Sequence, residues 1–158
     1  MEIFLCGGSS GKRAEPIFDI YLNNTNNRSN ILYIPLAMEK EKYSDCKIWF
    51  ENEIKKYSIK FKMSELSKEL NNINLNNFTH IFIGGGNTYK LLKEIKDTTF
   101  FESLQSYQGK IWGSSAGAII FGKDINSCKV EDKNKVNIQE TAGYNIVNNY
   151  SILCHLNK

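Results

Sequence analysis

Histidine, paired cysteine and any excess of one charge are what this sequence has least of. Two histidines and four cysteines in 158 residues give no cluster with metal-ligand spacing, because zinc-type sites repeat their ligands at short intervals. Cys6, Cys46, Cys128 and Cys154 lie far apart with no Cys-x-x-Cys pair. A disulfide scaffold is therefore disfavoured, and reduced thiols in a cytoplasmic protein are the expectation. Twenty basic side chains against seventeen acidic ones leave a formal charge of +3, with the signs interspersed, so nothing supports a nucleic-acid partner. No uncharged apolar stretch approaches the roughly 20 residues that span a bilayer. The opening Met-Glu-Ile-Phe-Leu-Cys-Gly-Gly has no basic n-region and too short an apolar run for a signal peptide. Neither secretion nor a membrane partner is expected.

What is present is ordinary globular composition: 41% hydrophobic, 12% aromatic and 23% charged, in a length suited to one domain over residues 1–158. Asparagine is abundant over 23–30 and 71–77, where it reads as loop polarity and compositional bias. Short apolar runs recur at 3–6, 31–34, 59–63, 80–83, 110–112 and 150–154, and most read as strands buried on both faces. Between them lie stretches with helical spacing. In 43–57, Ile48, Trp49, Phe50 and Ile54 gather toward one side; a second such stretch runs from Thr88 through Leu91, Leu92 and Ile95. Strands alternating with helices predict an α/β fold of three layers around a mostly parallel sheet.

In such sheets the functional crevice lies beyond the carboxyl ends of the strands. Three runs end in unusual turns: Gly7-Gly8-Ser9-Ser10-Gly11, Gly84-Gly85-Gly86-Asn87-Thr88 and Gly113-Ser114-Ser115-Ala116-Gly117. All three are expected along one edge. The last matches Gly-x-Ser-x-Gly after a predicted strand and before an apolar helical run, 116–121, which is the context of a nucleophile elbow with Ser115 at its centre. A small-residue turn that merely lets a helix pack close to the sheet is the alternative. A serine hydroxyl needs a base. His80 opens its strand and so lies roughly 13 Å from the crevice edge, where it is structural or exposed. His155 follows the run 150–154; if that run is a parallel strand, His155 emerges at the same edge as Ser115. A surface histidine is the competing reading. Cys154 is discounted as a nucleophile because strand neighbours point to opposite faces.

The triple glycine turn exposes backbone N–H groups. It lacks the Walker pattern and Gly-x-Gly-x-x-Gly, so its N–H groups near Gly85, Gly86 and Asn87, with that of Ala116, are read as holding an oxyanion. For a carboxylate that orients the histidine, Asp124, Glu131, Asp132 and Glu140 are all candidates, and spacing does not choose among them. No cofactor is indicated.

Residues 81–88, Leu91-Leu92 and Gly113-Ser114-Ser115-Ala116-Gly117-Ala118 together resemble the peptidase E (dipeptidase E) family of serine peptidases, related to cyanophycinases. The strand and turn at 3–8 and the segment 150–155 keep the same order. The resemblance implies a fold like class I glutamine amidotransferases, with Ser115 as nucleophile and His155 as base. It implies a serine peptidase acting on short peptides, peptidase E itself favouring an N-terminal aspartyl residue. Family members continue past the histidine with further strands and helices, whereas this sequence stops at Lys158, so a shortened form is expected. The rival reading is a truncated, inactive α/β module that binds a small anionic ligand or a partner chain. An uncovered sheet edge makes a homo-oligomer an expectation of either.

Overall fold

Alternation along the central strands decides which helix covers which face. The computed structural model describes residues 1–8, 11–26, 28–57 and 59–155; Ser9 and Ser10 of the first turn lie outside the described residues. Five strands, β1 (Glu2–Cys6), β2 (Asn30–Ile34), β3 (Lys60–Met63), β4 (His80–Ile83) and β5 (Lys110–Ser114), form one all-parallel sheet in the order β1-β5-β4-β2-β3. Side chains one residue apart point to opposite faces. Ile31, Tyr33, Phe82 and Trp112 pack with Phe18 of α1 (Glu15–Tyr21) and with Phe50 and Ile54 of α2 (Tyr43–Ile54). Leu32, Ile34, Ile81, Ile83 and Ile111 meet Leu91, Leu92 and Ile95 of α3 (Thr88–Lys96), Phe100 and Leu104 of α4 (Phe100–Leu104), and α5 (Ala116–Ile119). The sheet is thus the middle of three layers. Each large apolar side chain so buried stabilises the fold by roughly 1.5–3 kcal/mol.

The central strands β2 and β4 are buried on both faces, whereas the edge strands β1 and β3 alternate between half-buried and exposed positions. Three expectations need correction. Ile48 is 58% exposed; α2 buries Phe50 and Ile54 as expected, with Tyr43 in place of Ile48, because its inner stripe follows the i, i+7, i+11 spacing. Helix α5 stops at Ile119, and Ile120 already acts as its C-cap. Residues 150–154 form no strand: the Tyr150 carbonyl accepts from Lys123 N–H and the Ile152 carbonyl from Ser127 Oγ, so the segment is tied to a loop and a 3-10 turn. Among the described residues, no helix is long and apolar enough to cross a membrane.

His80 is structural and buried. Its Nε2 donates to the Tyr21 carbonyl at 3.0 Å, and its Nδ1 lies 2.8 Å from Thr79 Oγ1. Burial, reinforced by the Lys110 cation, lowers its pKa to about 4. The unfolded chain takes up a proton here near pH 6.5 and the folded chain does not, so this stabilisation is complete above pH 6.5 and is lost as pH falls through about 4. From this group alone, folding free energy is expected to drop by roughly 2 kcal/mol between pH 7 and pH 5. Urea denaturation at both pH values checks it: His80→Gln should lose that part of the acid sensitivity, and an unchanged pH difference would refute the assignment.

Candidate active site

Parallel pairing of β1 with β5 and of β5 with β4 sets Cys6 opposite Ser114 and Ile83 opposite Gly113. The three glycine-bearing turns therefore leave the sheet side by side, at one edge. Ser115 leaves β5 with φ 51° and ψ −110°, a conformation that costs a non-glycine residue about 1–3 kcal/mol and persists only where the surroundings impose it. Here the surroundings do so from two sides. The Ser115 N–H donates to the Cys6 carbonyl at 2.8 Å, and the Ser115 carbonyl accepts from the N–H groups of Ala118 and Ile119. The flanking glycines permit the close approach: a Cβ on Gly113 would lie 2.2 Å from the Gly117 carbonyl oxygen, and one on Gly117 would lie 2.3 Å from that of Ile83. The result is a sharp strand-to-helix turn with the hydroxyl of Ser115 on top.

His155 meets that hydroxyl: its Nε2 is 2.8 Å from Ser115 Oγ. It arrives by another route than a strand end. His155 has φ 59° and follows the irregular segment 150–154, whose Cys154 shares a core cluster with Ala116, Ala118 and Ile119 of α5. Beneath it, Cys154 is buried with its Sγ 3.8 Å from the Ser115 carbonyl oxygen. Burial pushes the thiols of Cys154 and Cys128 up, so both stay protonated beside the serine. Gly8 supplies the other wall of the imidazole's seat. It has φ +99°, and a Cβ there would lie 2.9 Å from His155 Cε1 and 3.4 Å from Ser115 Cβ. The seat was not legible as such, although the Gly-Gly turn after the first apolar run marked the position.

Gly85 lies against the serine, where a Cβ would stand 3.2 Å from Ser115 Cβ and 3.8 Å from its Oγ. The N–H groups of Gly85 and Ala116 have no acceptor among the described residues. Gly86 packs under the Ala37 carbonyl and lines the cavity beside Ser115. Asn87 does something different from what was expected of it. Its Oδ1 accepts from Lys90 N–H, its Nδ2 donates to the Lys133 carbonyl, and its own N–H donates to the Ala37 carbonyl. Its side chain is an N-cap and a tie, not a ligand-facing group. Lys90, not singled out from sequence, donates Nζ to the carbonyls of Leu36 and Met38, fixing the loop that covers Gly86. A lysine one turn into a helix carries no signal of that role.

A cavity of about 340 Å³ opens at the pair and includes Glu131 and Asp132 with Ser115 and His155. Of the four carboxylates considered, three have partners other than His155. Asp132 accepts from the Thr88 N–H at the start of α3, a favourable place for an anion. Asp124 accepts from Asn126 N–H and Ser151 Oγ, and the first of these holds its carboxyl below the ordinary range. Glu140 pairs with Lys96 away from the site. Spacing alone could not rank them, since their roles depend on loop paths. Among the described residues, no group of three or more His, Cys, Asp or Glu side chains converges as metal ligands would.

Comparison with known proteins speaks to the fold and the family. The chain superimposes on a crystal structure of a candidate peptidase E protein from Listeria monocytogenes EGD-e with a TM-score of 0.72 and 24% identity, over 89% of this chain and 73% of that one. It matches a peptidase from an acI-B1 Actinobacterium with a TM-score of 0.75 and 18% identity, over 99% and 68%. At such identities the likeness speaks for the fold: an α/β three-layer sheet of the peptidase E kind. No curated protein matches. The model of peptidase family S51, in contrast, matches residues 3–157. Because that match takes in all five strands, the elbow and His155, the chain belongs to peptidase family S51 and, with it, to the hydrolases that cleave peptide bonds.

Proposed function

We propose that this protein is a serine peptidase of short peptides, with Ser115 as nucleophile and His155 as general base. The observation that carries the reading is the 2.8 Å approach of Ser115 Oγ to His155 Nε2 from a serine in a strained elbow. With the ring proton on Nδ1, Nε2 accepts the hydroxyl proton as Oγ bonds to the scissile carbonyl carbon. The oxygen then carries negative charge, which the N–H groups of Gly85 and Ala116 are assigned to hold. Collapse breaks the C–N bond, and His155 returns the proton to the departing amine. Water, deprotonated by the same imidazole, hydrolyses the ester and restores the serine.

Labelling with a serine-directed fluorophosphonate tests this. Adduct is expected on Ser115 in the native chain, absent in Ser115→Ala and at least about 100-fold slower to form in His155→Ala. A folded native chain that takes no label, or labels elsewhere, would remove the reading and leave the ligand-binding module in its place.

A further inference from the structure

A second cavity, of about 280 Å³, lies on the other side of the Gly85–Ser114 edge. It is distinct in character from the one that holds His155. Phe82 and Tyr33 are among its buried lining residues, half-buried Trp49 and Met38 line it too, and Cys46 and Asp45 complete it. Trp49 and Phe82 stand with centroids 5.9 Å apart and Tyr33 and Phe82 5.3 Å apart, so the aromatic surface is continuous. Burial pushes the Cys46 thiol up, which leaves that wall uncharged. Among the described residues, no lysine or arginine lines the cavity, and the one ionic group that does is the exposed carboxylate of Asp45.

The two cavities divide the substrate. Given Ser115 and His155 as nucleophile and base, on which this inference rests, the departing amine must lie toward His155 and hence toward the cavity with Glu131 and Asp132. The acyl half then lies across Gly85, on the aromatic side. We infer that the cavity of Tyr33, Met38, Trp49 and Phe82 receives the side chain of the residue whose carbonyl is cleaved, and that this side chain is apolar or aromatic. An acidic side chain would meet no cation among the described lining residues and would face Asp45. Burying an unpaired carboxylate against aromatic walls is costly, whereas an aromatic ring gains from its area and from edge or offset contacts. The walls thus select against an acyl-side aspartate.

Binding without turnover tests the assignment. In a Ser115→Ala chain, Trp49 emission is titrated with the dipeptides Phe-Ala and Asp-Ala, and the signal is assigned by its loss in Trp49→Phe. Phe-Ala is expected to give a saturable shift and to bind at least ten-fold more tightly than Asp-Ala. Filling the cavity with Cys46→Phe should weaken Phe-Ala at least ten-fold, and the milder Cys46→Leu should act in the same direction. Equal or tighter binding of Asp-Ala, no saturable shift with Phe-Ala, or unchanged affinity in both folded Cys46 variants would each overturn the assignment. Fluorophosphonate labelling of the native chain separates the two readings. Label on Ser115 with no preference for Phe-Ala sinks the cavity alone, and preference without label sinks the nucleophile alone.

Discussion

Ser115→Ala is expected to lower kcat for peptide hydrolysis by about 10⁴-fold or more, and adding His155→Ala should make little further difference. Nucleophile and base act as one device when the hydroxyl proton passes directly from Oγ to Nε2, and the 2.8 Å separation places them at that range. Once either is gone, the other has no partner to work through. The remaining rate would come from binding and from backbone donors. Steady-state kinetics on both single variants and the double variant decide it: multiplicative losses would mean independent roles. A companion substitution reads the elbow's strain. Ser115→Gly should be as inactive as Ser115→Ala yet more stable by about 1 kcal/mol, because glycine adopts φ 51° without the penalty that serine bears. Equal stability of the two variants would show that the turn stores no strain.

The next largest effect is expected at Gly8, which touches no substrate in the reading above. A methyl group there would stand 2.9 Å from His155 Cε1, so the imidazole must shift by several tenths of an ångström, and the backbone at φ +99° resists any side chain. Misplacement approaching 1 Å costs up to about 10²-fold in rate. Gly8→Ala should therefore lower kcat/KM by up to about 100-fold while losing about 1–2 kcal/mol of stability. Gly7→Ala is the control. Its added Cβ would meet nothing nearer than the His155 backbone nitrogen at 3.9 Å, so activity within a few-fold of the native chain is expected. If both variants behave alike, Gly8 is not the seat of the imidazole.

The sheet was legible because its signal is local. Alternate residues of 31–34, 80–83 and 110–112 divide between two cores, and short apolar runs between turns announce such strands whatever lies around them. The elbow was legible because Gly-x-Ser-x-Gly between a strand and an apolar helical run is itself a local pattern, although the contacts that Ser115 and Gly117 answer reach to Cys6 and Ile83 on other strands. What failed to show depends on distant partners. The run 150–154 has the composition of a strand, but its hydrogen bonds go to Lys123 and Ser127, and no periodicity reveals a partner nearly thirty residues away. The asparagines were more than loop polarity. Asn24, Asn137, Asn145, Asn148 and Asn149 all adopt positive φ, which asparagine tolerates better than most residues, and Asn74 caps a 3-10 turn. The path of the segment leading to His155 is written partly in those positions.

Ser115 and His155 belong to parts of the molecule secured in different ways. Ser115 is pinned by the sheet's own ladder through Cys6, whereas His155 rides on a strap held by scattered loop bonds and a few apolar side chains. Elements of that second kind open at lower free energy than a core sheet. A chain in which only the strap has opened would thus keep a complete sheet and elbow while losing the contact between Ser115 and His155.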